Sequence, residues 1–230
     1  MAQETAALSL VHLVRPPVTP PAPGERAPLL VLLHGVGGNE EAMLAIAPAM
    51  DPRFLIVSAR GPHVMGPRAF GWFHVTFTPQ GPAIAADEAA ASWAAIARFV
   101  DEAVAAYEAD PGRVHLAGFS QGAIMGLATL LTAPERVAGV VAMSGRLLPE
   151  VLPHAAPDAA LDGKAVLIVH GVDDQKLGVH YARGARETLA RFPLRLDYRE
   201  LPMGHAMTSE SVAEVARWLS ARLVEPPAAR

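Results

Sequence analysis

The fold of this chain is decided by the stretch Val114-His115-Leu116-Ala117-Gly118-Phe119-Ser120-Gln121-Gly122. Its first four residues form a mostly apolar run, which is typical of a buried strand. The last five match the pattern G-x-S-x-G, in which a serine stands on a sharp turn between a strand and a helix. Both glycines are needed, because a Cβ at either position would crowd the turn and its neighbours. The pattern predicts that the Ser120 hydroxyl projects from the end of a sheet, where it could act as a nucleophile.

Around this turn, short apolar runs alternate with segments of helical pattern. Strands are predicted at 29–33, 54–58, 114–117, 137–143, 165–169 and 194–201, and helices from 39 and at 86–109, 121–133, 179–191 and 209–223. Such alternation predicts a mostly parallel sheet covered by helices on both faces. We therefore expect one doubly wound α/β domain over residues 1–230. Within it, residues 1–28 should form an edge strand (near 7–14) and a proline-rich loop, and residues 60–85 an aromatic, lid-like loop.

The bulk composition excludes several classes of partner. With a net charge of −4 and no run of Lys or Arg, the sequence predicts no basic surface that would bind nucleic acid or an anionic membrane. The absence of cysteine excludes disulfides, a cysteine nucleophile and a thiolate zinc site. The first five residues lack the features of a secretion signal, and no apolar stretch reaches membrane-spanning length. We therefore expect a cytoplasmic protein without membrane insertion, and a homodimer stays open.

Two loops beyond Ser120 offer the partners that a serine nucleophile needs. Serine is a weak nucleophile at neutral pH and requires a neighbouring base, which is in turn oriented by an acid. After one predicted strand comes His170-Gly171-Val172-Asp173-Asp174, and after the next comes Met203-Gly204-His205. Catalytic groups of parallel sheets lie beyond the carboxyl ends of the strands, and the order serine, acid, histidine suits this kind of sheet. The residues alone leave Asp173 and Asp174 as alternatives for the acid.

His205 fits the role of the base better than the other eight histidines. The others lie within predicted strands, precede glycines at strand ends, come before the acid in sequence, or begin a helix shortly after it. Only His205 lies on a loop after a later strand. We expect it to be the base rather than an ordinary surface histidine.

The oxyanion of a tetrahedral intermediate needs two N–H donors. One is expected from Gln121, directly after the nucleophile, and the other from Val36 in the loop His34-Gly35-Val36-Gly37-Gly38. That loop could instead be half of a dinucleotide fingerprint, but Glu40 stands at the third glycine position and would repel a pyrophosphate. The sequence has no phosphate-loop lysine and no H-x-x-x-H spacing. We expect neither a cofactor nor a metal ion.

The excursion between residues 61 and 82 carries more apolar surface than a solvated loop tolerates. Its large apolar side chains must be buried somewhere. They either roof a pocket over the serine or pack onto the domain core, and we expect the pocket. These side chains are Met65, Phe70, Trp72, Phe73 and Phe77.

Together these motifs resemble the phospholipase/carboxylesterase branch of the α/β-hydrolases, which includes the acyl-protein thioesterases. The resemblance extends over about residues 28–223 and implies an α/β-hydrolase fold with a mostly parallel central sheet. It is carried by L-H-G-V-G-G at Leu33–Gly38, G-F-S-Q-G at Gly118–Gly122, S-G-R-L-L-P at Ser144–Pro149, H-G-x-x-D at His170–Asp174 and M-G-H at Met203–His205.

The resemblance implies a role for each matching residue. Ser120 would be the nucleophile, Asp174 the acid and His205 the base, with the oxyanion held by Val36 and Gln121. Near the acyl site it also places Trp72, Phe73, Arg146, Leu147 and Leu148. The chain departs from the family at His74, where an acidic residue is frequent, and at Gly178, where proline is frequent. Both departures bear on substrate preference rather than on the hydrolytic chemistry.

We therefore expect a cofactor-free serine hydrolase that cleaves small carboxylic esters of short to medium acyl groups through an acyl-enzyme. An acyl-protein thioesterase or a lysophospholipase is the nearest alternative, and either would need a longer apolar groove. A non-catalytic binding module with an α/β-hydrolase fold is the alternative from another class. Such a module would have no need of the serine, the acid and the histidine together.

Overall fold

The computed structural model describes residues 7–78 and 81–224, apart from the Phe77 side chain, and a seven-stranded sheet lies at its centre. The prediction about a secretion signal concerns residues outside this part of the chain. The strands are, in chain order, β1 (His12–Arg15), β2 (Pro28–Leu33), β3 (Leu55–Ala59), β4 (His63–Gly66), β5 (Ala69–Gly71), β6 (Val75–Thr78), β7 (Gly81–Ile84), β8 (Asp110–Phe119), β9 (Gly139–Met143), β10 (Ala165–Gly171) and β11 (Arg195–Leu201).

The sheet has the order β1-β3-β2-β8-β9-β10-β11. Strand β1 is antiparallel to β3, and all the other neighbours are parallel. The helices of the described chain are α1 (Glu40–Leu44), α2 (Ala86–Ala106), α3 (Gln121–Thr132), α4 (Asp158–Leu161), α5 (Val179–Leu189) and α6 (Ser209–Arg222). The predicted mostly parallel α/β sheet is therefore confirmed.

Strand β2 is buried on both faces, as its continuous apolar run predicts. Alternate side chains of the strand enter two separate core clusters, one on each face of the sheet. Leu29 and Val31 pack in a cluster with residues of α2, α3 and α5. Leu30 and Leu32 pack on the opposite face with residues of α1 and α6. Helices therefore cover both faces of the sheet, and this confirms the doubly wound arrangement.

The turn after β8 has the strained geometry that its glycines predict. Ser120 has φ of +54° and ψ of −115°, a conformation that costs a non-glycine residue free energy. A Cβ built on Gly118 would lie 2.2 Å from the carbonyl oxygen of Gly122. A Cβ built on Gly122 would lie 2.1 Å from the carbonyl oxygen of Leu33. Both contacts are with backbone atoms that cannot move aside, so each glycine is sterically required.

The excursion is more regular than the sequence predicts. It contains two antiparallel hairpins, β4 with β5 and β6 with β7, each pairing strands of only three or four residues. Strands this short give no alternation long enough to recognise.

Helix α1 begins as expected after Asn39, whose side-chain oxygen accepts the N–H of Ala42 at 2.9 Å. Helix α2 ends at Ala106 rather than 109, because Glu108 adopts a left-handed φ of +51°.

Candidate active site

Parallel pairing brings the three predicted catalytic residues to one edge of the sheet. Ser120 follows β8, Asp174 follows β10 and His205 follows β11. His205 Nε2 lies 2.9 Å from Ser120 Oγ, and His205 Nδ1 lies 2.7 Å from Asp174 Oδ2. An ionised carboxylate only accepts, so the ring carries its proton on Nδ1 and Nε2 is left to accept the serine proton. The three side chains form a continuous hydrogen-bonded chain.

The structure also distinguishes the two adjacent aspartates by their burial. Asp174 is buried, whereas Asp173 is exposed. The Oδ1 atom of Asp174 accepts the backbone N–H groups of Lys176 at 2.9 Å and Leu177 at 2.8 Å, so the carboxylate has a fixed orientation. Burial acts to raise the pKa of Asp174, but these hydrogen bonds and that from His205 outweigh it and hold the pKa below its ordinary value. The carboxylate beside His205 is therefore ionised.

His170 supports the loop that carries the acid. The ring is fully buried, and its Nε2–H donates to the carbonyl oxygen of Leu177 at 2.7 Å. The same nitrogen lies 3.4 Å from Asp174 Oδ2. Burial lowers the pKa of His170, so the imidazole is neutral at physiological pH. Its hydrogen bond to Leu177 and its position behind the acid give His170 a structural role in this loop.

The two predicted oxyanion donors, Gln121 and Val36, line the same pocket as the serine. Gln121 begins α3, and the first N–H groups of a helix have no acceptor within it. Val36 lies on the loop after β2 and lines the same pocket as Ser120. This loop comes close to the nucleophile, since a Cβ built on Gly35 would lie 3.2 Å from the Cβ of Ser120. Their function as donors to an oxyanion remains a prediction.

His34 holds the Val36 loop in place. Its Nδ1–H donates to the carbonyl oxygen of Gly35 at 2.8 Å, and its Nε2 accepts the N–H of Gly61 at 2.9 Å. The indole N–H of Trp72 donates to the carbonyl oxygen of His34 at 2.9 Å. Burial lowers the pKa of His34, which agrees with a neutral ring that donates from one nitrogen and accepts at the other. The loop is thereby bound to the excursion that follows β3.

The side chain of Gln121 has a role that sequence reasoning missed. Its Oε1 accepts the backbone N–H of Trp72 at 2.7 Å, and its Nε2 donates to the carbonyl oxygen of Phe73 at 2.6 Å. The hydroxyl of Ser92 in α2 also donates to the carbonyl oxygen of Trp72. The elbow and the aromatic segment are therefore joined by buried hydrogen bonds. The amide of a glutamine can bridge a donor and an acceptor in this way, but its residue type does not reveal which ones.

A pocket of about 490 Å³ opens over Ser120. Val75 in β6 and Pro82 and Ile84 in β7 contribute to its wall, so the second hairpin lies beside the reacting atoms. Two basic side chains, Arg146 and Lys176, are also part of the lining. The complete lining consists of Gly35, Val36, Phe73, Val75, Pro82, Ile84, Phe119, Ser120, Gln121, Ile124, Arg146, Gln175, Lys176, Leu177 and His205.

The predicted acyl-site residues are only partly placed at this pocket. Phe73 lines it, but Trp72, Leu147 and Leu148 are not in its described lining. Trp72 and Leu148 are buried within the core cluster that contains α2 and α3, and Leu147 packs against the same cluster. Trp72 and Phe73 lie in a bend between β5 and β6 and are both buried in this cluster, but of the two only Phe73 also lines the pocket.

A mostly parallel sheet with a serine at a strained strand-to-helix turn defines the α/β-hydrolase fold. The sequence profile of the phospholipase/carboxylesterase family matches residues 17–223. The chain therefore belongs to the phospholipase/carboxylesterase family. The binding-module alternative is not supported, because the relatives are esterases and thioesterases.

Named relatives agree with this membership. Esterase YpfH of Escherichia coli strain K12 is 33% identical over 194 residues, which are 80% of this chain and 78% of that protein. Acyl-protein thioesterase 1 of Neurospora crassa is 24% identical over 229 residues, covering 91% and 92% of the two chains. The crystal structure of a carboxylesterase from Mesorhizobium loti superposes with a TM-score of 0.79 at 25% identity, covering 94% of this chain and 97% of that one.

The structural comparison extends to a carboxylesterase from Bacillus cereus, with a TM-score of 0.76, 22% identity and coverage of 93% and 94%. At that identity the likeness concerns the fold alone.

In the part of the chain that the structure describes, no helix has the length and apolar character needed to cross a bilayer.

Proposed function

We propose that this hydrolase is a serine carboxylesterase that cleaves small carboxylic esters of short to medium acyl groups. The observation that carries the proposal is the hydrogen-bonded chain from Ser120 Oγ through His205 to Asp174. This arrangement is what a weak oxygen nucleophile requires at neutral pH. The reaction uses no metal ion and no cofactor. The absence of cysteine is compatible with the cytoplasm, where we place the enzyme.

The reaction begins when His205 Nε2 removes the proton from Ser120 Oγ as that oxygen attacks the acyl carbonyl. The N–H groups of Val36 and Gln121 bind the oxyanion, and each contributes about 3 kcal/mol to stabilising the transition state. The protonated His205 then gives its proton to the leaving alcohol, and an acyl-serine remains. A water molecule, deprotonated by the same ring, attacks the acyl-serine, and the carboxylic acid leaves as the ring returns that proton to Ser120 Oγ. Asp174 stays ionised throughout and stabilises the imidazolium.

The walls of the pocket support the proposal of a short to medium acyl group. A volume of about 490 Å³ suits a small ligand, and Phe73, Val75 and Ile84 offer apolar contact to an acyl chain. A thioester of a long acyl group is the second candidate, favoured by the likeness to an acyl-protein thioesterase over nearly the whole chain. A series of chromogenic esters and matched thioesters of rising acyl length distinguishes the two. Preference for long-chain thioesters would replace the first assignment with the second.

The decisive test is Ser120→Ala, assayed with a short-chain chromogenic ester. We expect kcat/KM to fall by a factor on the order of 10⁴ or more, because the nucleophile is lost. The melting temperature should change little, and labelling by a fluorophosphonate should disappear. Activity within tenfold of the wild type, in a preparation free of other esterases, would refute the assignment.

A further inference from the structure

A second group of chemically active side chains lies outside the proposed active site. His63 begins β4, His74 lies between Phe73 and β6, and Glu88 lies in the first turn of α2. One potential ligand atom from each of these three residues lies within 4.8 Å of the others. The three residues are far apart in sequence, so no short spacing motif announces them. Nothing in the proposed ester hydrolysis uses them.

We propose that His63, His74 and Glu88 form a binding site for a divalent zinc ion. Two imidazoles and one carboxylate are a donor set that zinc accepts readily, with a water molecule in the fourth position. The proposal is independent of the esterase assignment. It also departs from the expectation of no metal ion, which rested on sequence spacing alone.

The distances suit such an ion. A tetrahedral zinc ion with ligand bonds of about 2.0–2.1 Å needs ligand atoms about 3.3 Å apart. Glu88 Oε2 lies 2.8 Å from His74 Nδ1 and 3.9 Å from His63 Nδ1. The two imidazole rings meet edge to face, with centroids 5.3 Å apart. Small side-chain rotations would therefore bring all three atoms to coordinating distance without a change in the backbone.

Hydrogen bonds hold Glu88 in position. Its Oε2 accepts the backbone N–H of His74 at 2.7 Å in addition to the ring hydrogen bond. The side chains keep part of their surface open to solvent, with exposures of 26% for His63, 56% for His74 and 33% for Glu88. An ion could therefore enter from solution.

The ion would join three segments, one of which continues into the wall of the pocket at Phe73 and Val75. The ligands come from the first hairpin, from the segment leading into the second hairpin, and from α2. His74 directly follows Phe73, which lines the pocket and is bound to Gln121 through its carbonyl oxygen. Zinc binding would therefore stabilise the excursion and fix this wall of the pocket. The ion would take no part in the proposed ester hydrolysis, because no ligand comes from Ser120, Asp174 or His205.

The test is a titration of the EDTA-treated full-length protein with Zn²⁺ in competition with a chromogenic chelator. We expect one equivalent to bind, and Co²⁺ to give the visible absorption of a site with nitrogen ligands. At a zinc concentration a hundredfold above Kd, the melting temperature should rise by about 5–10 °C. His74→Ala should weaken binding by at least about tenfold, since even outer partners of a metal site contribute that much.

Three further variants make the result specific. Glu88→Gln keeps the shape and an acceptor for the His74 N–H but removes the anionic ligand, so it should lose affinity while staying folded. His154→Ala, at an exposed histidine outside the cluster, should bind zinc like the wild type. His205→Ala should also retain binding, which separates this site from the proposed catalytic histidine.

The proposal is overturned if the wild type binds no stoichiometric zinc. It is equally overturned if His74→Ala and Glu88→Gln both bind with unchanged affinity, or if only His205→Ala loses the ion.

Discussion

Exchanging Asp174 for asparagine tests the proposed mechanism most sharply, because the surrounding backbone decides how the new amide must lie. Oδ1 of Asp174 accepts two backbone N–H groups, from Lys176 and Leu177. The asparagine carbonyl must keep those two hydrogen bonds, since its NH₂ group would otherwise face two donors. The NH₂ group is then forced toward His205 Nδ1, where the carboxylate oxygen Oδ2 now lies.

That orientation reverses the tautomer of His205. The Nδ1 atom would have to accept a hydrogen bond, so the proton would move to Nε2, which faces Ser120 Oγ. A ring protonated at Nε2 cannot accept the serine proton. The equivalent change in serine proteases lowers kcat about 10⁴-fold, which corresponds to about 5.5 kcal/mol. We expect a loss of this size in the kcat of Asp174→Asn.

The matched control is Asp173→Asn, which alters the neighbouring, exposed carboxylate. Its activity should stay within about tenfold of the wild type with the same chromogenic ester, and both variants should melt cooperatively. The reasoning would be refuted if Asp174→Asn kept more than a tenth of the wild-type kcat. It would also be refuted if Asp173→Asn were the more damaging of the two.

Three other predictions follow from the same structure. The kcat/KM should fall with decreasing pH in a single limb, because a general base acts only in its unprotonated form and the lowered pKa of Asp174 keeps that acid ionised; a second acid-side step would contradict this. EDTA should not abolish turnover, because no metal ion takes part in the proposed chemistry; a complete loss of activity that added metal restores would contradict it. Trp72→Ala should lower the free energy of unfolding by about 3–5 kcal/mol, because the indole is fully buried, and the melting temperature should fall by about 6–20 °C. Altered acyl preference with an unchanged melting temperature would instead place Trp72 at the pocket. Gly118→Ala should abolish soluble expression, because its Cβ would meet the Gly122 backbone. Gly184→Ala has open space around its Cβ, so it should fold normally and its free energy of unfolding should rise by about 0.5–1 kcal/mol. Equal soluble yields of the two variants would show that the turn can relax.

Local sequence was enough to predict the elbow and the frame around it. The turn at Ser120 has a recognisable local pattern, because Gly118 must avoid the backbone of its near neighbour Gly122, while Gly122 must avoid Leu33 on the adjacent strand β2. The apolar run of β2 likewise predicts a strand buried on both faces, since no polar side chain could be directed to solvent. The order of strands then brings the loops that carry the serine, the acid and the histidine to one edge of the sheet.

The sequence could not choose between two adjacent carboxylates, because that choice depends on the loop conformation. The resemblance to a family indicated Asp174, and the structure places Asp174 beside His205 and leaves Asp173 in solvent. The direction of a side chain is also set by the backbone beneath it. Trp72 and Phe73 are adjacent, chemically alike and both buried in the core, yet of the two only Phe73 lines the pocket.

The sequence by itself thus determined the fold class, the serine at the elbow and the strand ends that carry its partners, because these depend on local sterics and on hydrophobic periodicity. Only the tertiary structure decided which groups meet across long separations in the chain. The side-chain amide of Gln121 binds the aromatic segment, and His63, His74 and Glu88 converge from three separate elements. Such contacts depend on how hairpins and helices pack over the sheet. Residues that packing brings together share no periodic pattern in the sequence.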